Sequence, residues 1–267
     1  MIRKIIFASI FALLLQASSV VAGTTGSEEL KGSNAYDTTP ECFEGVSRAM
    51  FKLNHGLDKA IFEPVAKGYR ALPVPVRKAT GNFTDNLRSL LTFSNNILQG
   101  EFRRAGNNAA RFGINTTAGI LGFFDPASKL GFEDQGKEDF GQTLGRWGSG
   151  TGCYFVLPIL GPTTTRDAVG LVGNIFLDPV YQITHNTEID NGVVGNGNYS
   201  EHNYYYYRGT SAVDFRSKNI ESFDSLEKNS IDLYATVKSL YLQERRKKIN
   251  NSSTVETQDA SDWEEID

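Results

Sequence analysis

The sequence predicts an all-α protein of amphipathic helices joined by short, irregular, glycine-rich loops. Three observations carry that expectation. Apolar residues recur at three- and four-residue steps through most of the chain, the stretch Leu157 to Gly170 ends in a helix-start signal, and a glycine-rich middle interrupts the helical spacing without long elements of its own.

The chain opens with Arg3 and Lys4, an apolar run from Ile5 to Leu15 and small residues up to Ala22. This is the layout of a secretory signal peptide over residues 1–22, with Val20 and Ala22 placed for cleavage before Gly23. The run is short for a bilayer span, which takes roughly 20 apolar residues. No cysteine follows it before Cys42, so the expectation is an exported protein with no lipoprotein cysteine. Residues 23–40, polar and rich in Gly, Ser and Thr, read as a flexible lead. A single helical domain is expected over 41–249, and 250–267 as an acidic, disordered tail.

Within the domain, Phe43, Val46, Met50, Phe51, Leu57 and Ile61 share one face of a first helix, with Pro64 marking its end. Ala71 to Arg77, with Pro73 and Pro75, is an extended connector, because a residue before proline is pushed away from helical angles. A second helix follows from about Val76 on Phe83, Leu87, Leu90, Leu91, Ile97 and Leu98, and Gly100 is its stop. Residues 101–115 form a third, with Phe102, Ala105, Ala109 and Phe112 inward and Arg103, Arg104 and Arg111 as a solvated flank. From Thr116 to Gly152, nine glycines interleaved with Phe123, Phe124, Phe132, Phe140 and Trp147 predict short turns and loops. Asn191 to Asn198 reads as a loop. Residues 212–249 carry helical spacing in two pieces around Asn229 and Ser230.

In LPILGPTTTRDAVG, residues 157–170, Pro158 and the Gly161-Pro162 pair break any regular element, and Thr164 with Asp167 has the spacing of an N-cap and its N3 partner. A helix from about Thr165 to Leu177, ahead of Asp178-Pro179, is the consequence. Asp167 suits the positive end of that helix and Arg166 does not. Either a partner holds the guanidinium or it is solvated.

The formal net charge of −4 argues against nucleic acid as a partner. Two cysteines and three histidines exclude a disulfide-dense scaffold and supply no metal or cofactor site. One bridge between Cys42 and Cys153 is compatible with export, although no spacing demands it. His55, His185 and His202 are isolated, no G-x-S-x-G elbow occurs, and Gly148 to Gly152 lacks the P-loop lysine. The carboxylates Glu133, Asp134, Glu138 and Asp139 read as a solvated acidic loop rather than an acid–base pair. A non-enzymatic role is predicted.

Taken together, Arg48-Ala-Met-Phe51 with Asn54 and Leu57-Asp58, Pro64 to Arg70, Val76-Arg77 with Asn82-Phe83 and Asn86-Leu87, and Asn96 to Gly100 form an ordered set of motifs. Arg111-Phe112, Asn115 to Gly119, Gly122 with Asp125-Pro-Ala127, Glu138 to Gly145 with Gly148, LPILGPTTTRDAVG with Asp178-Pro179, and Ser230 to Arg246 continue it. In that order they resemble the VacJ/MlaA family of outer-membrane phospholipid-transport proteins over most of 41–249. The chain departs from the family pattern at Glu41-Cys42, at Val46-Ser47-Arg48, in its lack of an anchoring cysteine, and at Asp232-Leu-Tyr234.

The resemblance implies a ring-shaped, all-α protein on the inner-leaflet, periplasmic side of the outer membrane. Its amphipathic channel would pass mislocalised phospholipids from the outer leaflet to a soluble periplasmic lipid carrier, with porin trimers as neighbours. Phe-rich amphipathic helices suit such a membrane interface, and equally an ordinary helical core. Asn54, Asp58, Arg166 and Asp167, polar groups within apolar motifs, are the candidate residues, lining a channel or fixing helix ends. The alternatives are a periplasmic lipid hydrolase and a surface interaction factor using Tyr204 to Tyr207.

Overall fold

The structure, a computed structural model, describes residues 39–185 and 202–251. The expected leader over 1–22, nearly all of the lead over 23–40, the Asn191 to Asn198 loop and the tail from 252 onward lie outside the described residues. Those described belong to one compact unit, Asp37–Asp267.

Helix α1, Glu44–Leu57, does not end at Pro64. It runs through a π-helical turn, Asp58–Phe62, into α2, Glu63–Arg70. Proline lacks an N–H and its ring crowds the carbonyl four residues back. Here the Glu63 N–H reaches five residues back to the Asp58 carbonyl, and the widened turn carries the helix past Pro64.

Pro73 is extended (φ −54°, ψ 140°) and sets up α3, Val74–Leu98, with Pro75 in the first turn where its missing donor costs nothing. At 25 residues, α3 is about 37 Å long. Gly100, at φ 76°, reverses the chain into α4, Phe102–Thr117, and the two helices pack together. Two short helices follow, α5 over Pro126–Lys129 capped by Asp125 and α6 over Phe140–Arg146 capped by Asp139.

Residues 157–164, expected to hold no regular element, join Tyr154 to Val156 in a β-hairpin. Strand β1, Tyr154–Leu157, pairs antiparallel with β2, Gly161–Thr164, in the register Tyr154 to Thr164 and Val156 to Pro162. Pro162 is tolerated because β2 pairs with β1 alone and is an edge strand. Cys42 and Cys153 form a disulfide at its base, closing a sequence separation of 111, and Glu41 bridges Tyr154.

Thr164 caps α7, Thr165–Leu177, its hydroxyl accepting from the Asp167 N–H at 3.3 Å. Helix α8, Pro179–His185, follows. The C-terminal part holds three helices rather than two pieces: α9, His202–Lys218, α10, Ile220–Asn229, and α11, Leu233–Ile249. The additional break falls at Asn219, which is outside helical angles (ψ 17°). Helix α6 meets α7 at very close range, where a Cβ on Gly170 would lie 2.5 Å from the Gly141 nitrogen.

The interior is predominantly polar. One small apolar cluster joins Tyr154, Val156, Tyr234 and Leu242, with Met50, Phe51 and Tyr241 against it. Across the described residues, twenty buried polar or charged side chains stand against ten buried apolar ones. Phe43, Phe102, Phe124, Trp147, Val172 and Phe176 are meanwhile exposed. Soluble domains distribute these classes the other way, with Asn, Asp and Arg mostly outside.

Candidate functional site

Arg166 and Asp167 lie in the first turn of α7, and both are buried. The Arg166 Nε donates to Asp167 Oδ1 at 3.1 Å, so the guanidinium is held from within its own helix turn. Asp167 also accepts from the Tyr241 hydroxyl at 2.6 Å and from Arg245 at 2.7 and 3.0 Å. Arg245 in turn takes Asp139 at 2.6 and 3.0 Å. Gly141 makes room for this cluster, since a Cβ there would lie 2.7 Å from both Arg245 Nη2 and Asp167 Oδ1. Asp178 caps α8 by accepting from the Val180 N–H at 3.0 Å.

Burial alone would raise the Asp139 and Asp167 carboxyls, but the Arg245 guanidinium outweighs it and holds both below the usual carboxylate range. Glu138 goes the other way, because burial raises it more than the Gln99 hydrogen bond and Arg104 lower it. Glu138 and Asp139 are therefore not members of a solvated acidic loop. The partners that bury them, Arg104 and Arg245, are distant in sequence.

The other two candidates sit apart from this cluster. Asn54 clasps the hairpin turn, its Nδ2 donating to the Leu157 carbonyl at 2.8 Å and its Oδ1 accepting from the Ile159 N–H at 2.7 Å. Ile159 itself has positive φ and is 69% exposed, so the clasp holds an apolar tip outward. Asp58, at the start of the π turn, receives a bidentate pair from Arg216 at 2.8 and 2.8 Å, with Glu63 beside it at 3.4 Å. Lys67 and Lys59 hold the Glu63 carboxyl down at about 2.

Two of the three arginines on the flank of α4 are not solvated either, whereas Arg103 is exposed as expected. Arg111 reaches Asp125 and Ser128, each at 3.0 Å, and the Phe132 carbonyl, while Arg104 donates to the Gln135 carbonyl. A loop segment with few backbone partners needs such donors, and the two arginines gather it against α4.

Beside them lies a polar cavity of about 180 Å³ between α3, α4 and the loop leading to α6. Asn82, Asp85, Asn86, Ser89 and Thr92 recur on one face of α3, and Asn108, Arg111 and Asn115 on one face of α4. Asp125, Asp134, Gly136 and Lys137 complete the wall. Asn86 donates to Thr116 Oγ1 and Asn115 to Asp125, each at 3.0 Å.

Arg245, Arg216 and this amide stripe were missed in the sequence. Arg245 follows Tyr241 by one helical turn, which would have placed it inward from the basic run. The asparagine stripe was masked by the adjacent leucines. Among the described residues no three metal-ligating side chains converge, and no helix is long and apolar enough to cross a membrane.

The model of the family described as MlaA lipoprotein matches residues 39–248. The intermembrane phospholipid transport system lipoprotein MlaA of Haemophilus influenzae is 31% identical, over 94% of this chain and 94% of its own length. The protein of the same name from Escherichia coli K12 is 31% identical over 75% of this chain and 74% of its own. A solved structure described as "Structural basis for maintenance of bacterial outer membrane lipid asymmetry" superposes with a TM-score of 0.67 at 28% identity, covering 79% of this chain and 99% of that one.

The family and both named relatives are lipoproteins, which overturns the expectation of membrane attachment with no lipoprotein cysteine. The physical reason favours the correction. An acyl chain adds about 0.8 kcal/mol for each buried methylene, and stable anchoring takes two signals, such as a lipid group together with apolar side chains at the interface.

Proposed function

The chain belongs to the MlaA lipoprotein family, and from that premise we propose that it works in intermembrane phospholipid transport and maintains the lipid asymmetry of an outer membrane. One observation carries the reading on physical grounds: the inverted distribution of polarity, with amides, hydroxyls and ion pairs inside and large apolar side chains outside. Lipid makes this arrangement favourable, because polar groups facing an apolar solvent cost several kcal/mol each unless they turn inward and pair. Exposed apolar area is then the surface that binds the membrane.

In finer terms, the body is a ring lying in the inner leaflet, with short glycine-rich loops and an amphipathic channel. It withdraws mislocalised phospholipid from the outer leaflet and hands it to a soluble periplasmic carrier, beside porin trimers. The role is conduction rather than catalysis. Asn54, Asp58, Arg166 and Asp167 fix the frame, as their protein partners argue, and the chemistry of the lipid is left unchanged.

A deletion strain tests the reading. Loss of the chain is expected to raise outer-leaflet phospholipid and detergent sensitivity, both restored by complementation. Unchanged values of both would overturn it. Purified protein incubated with phospholipid separates conduction from hydrolysis, since intact co-purified lipid is expected and released fatty acid would favour an enzyme.

A further inference from the structure

The cavity between α3 and α4 is built for a small polar group. Its volume of about 180 Å³ leaves room for several waters or one small polar group. Every lining residue is polar, charged or glycine, so acyl chains have no favourable surface there. Asn108, only 4% exposed, has an Nδ2 with no hydrogen-bond partner on the protein. A buried amide donor left in this state keeps its full desolvation penalty, which an acceptor oxygen inside the cavity would offset.

The charges define what else the occupant carries. Lys137 pairs with Asp85, leaving two of its three N–H donors for an anionic oxygen. Arg111 is committed to Asp125, Ser128 and the Phe132 carbonyl. Asp134 accepts from the Gly136 N–H at 3.0 Å and makes no ion pair among the described residues. The wall holds three carboxylates against two cations, which disfavours a simple anion. A group with both signs fits it.

We propose that this cavity binds a phosphate ester bearing a primary amine, with Asn108 and Lys137 donating to the phosphate oxygens and Asp134 accepting from the ammonium. The chemistry is that of an aminophospholipid headgroup or of a free ester of the same kind. The assignment rests on the transport reading and deepens it, because it makes the cavity the place where one headgroup class is favoured over another.

Calorimetric titration of the full chain with glycerophosphoethanolamine, glycerophosphocholine, glycerophosphoglycerol and inorganic phosphate tests it. The ethanolamine ester is expected to bind at least tenfold more tightly than the other three. Asp134→Asn, which keeps an acceptor for Gly136 on an exposed loop, is expected to erase that preference while leaving phosphate affinity. Asn108→Ala is expected to weaken all four ligands severalfold at an unchanged melting temperature. Equal affinity for all four ligands, or an unchanged preference in Asp134→Asn, overturns the proposal.

Vesicles of mixed phosphatidylethanolamine and phosphatidylglycerol separate the two sources. Enrichment of the amine lipid on the extracted protein assigns the site to headgroups. Preference for the soluble ester without such enrichment assigns it to a free ester. Lipid transfer that proceeds with no headgroup or ester preference sinks the proposal and leaves the transport reading standing. Ester preference without lipid transfer sinks the transport reading instead.

Discussion

Arg245 Nη2 lies 2.7 Å from Asp167 Oδ1, which ties α11 to the first turn of α7 across 78 positions of sequence. The same guanidinium holds Asp139, the cap of α6. Removing it leaves Asp139 enclosed without a cation and Asp167 with Arg166 alone, so Arg245→Met is expected to cost about 3–5 kcal/mol in urea unfolding. The cost is expected to shrink in an Asp139→Asn, Asp167→Asn background, because residues of one network do not add.

Acid should act on the same cluster. Asp139 and Asp167 are held below their unfolded values by Arg245, so their contribution is complete above about pH 4 and is lost as pH falls through the lowered folded values. Glu138 is raised by burial and contributes in the opposite sense, gaining as pH falls. Stability followed by circular dichroism is expected to hold from neutrality to about pH 4 and then drop, with a shallower acid limb in Arg245→Met.

Asn54 gives a test that separates its two bonds. Asn54→Asp keeps the acceptor for the Ile159 N–H but loses the donor to the Leu157 carbonyl, while Asn54→Ala loses both. Both variants are expected to cost about 1–3 kcal/mol. Hydrogen exchange at the Ile159 amide is expected to accelerate strongly only in the alanine variant.

The Cys42–Cys153 bridge restrains the start of the domain against β1. Replacing both cysteines by serine is expected to cost about 2–5 kcal/mol. The wild-type melting temperature should fall to that of the double variant on reduction, and the variant should be insensitive to reductant.

What the sequence made legible were features with local causes. Thr164, Asp167 and Pro179 bound α7, and the leucine stripe after Pro75 marks α3. The hairpin escaped because four-residue strands carry almost no periodicity and Pro158, Gly161 and Pro162 read only as breakers. The continuation past Pro64 escaped because a π turn relieves the proline through a bond one residue longer than usual. Of the candidate site, the residues on α1, the π turn and α7 were readable as polar groups in apolar surroundings. Their partners Arg216 and Arg245 were not, since they arrive from α9 and α11, and only the fold decides which member of a basic run turns inward.

The preponderance of amides and ion pairs among the enclosed side chains has a calorimetric consequence. Hydrating apolar surface raises the heat capacity by about 0.45 cal/K/mol per Å², and hydrating polar surface lowers it by about 0.26. Melting this domain in a mild detergent wets mainly Asn, Thr, Asp and Arg side chains from within, while much of its aromatic and aliphatic area never leaves the micelle. Differential scanning calorimetry is therefore expected to give an increment below the usual 12–15 cal/mol/K per residue. The stability curve is correspondingly flat, and cold is expected to loosen this fold less than it loosens a domain built around an oily centre.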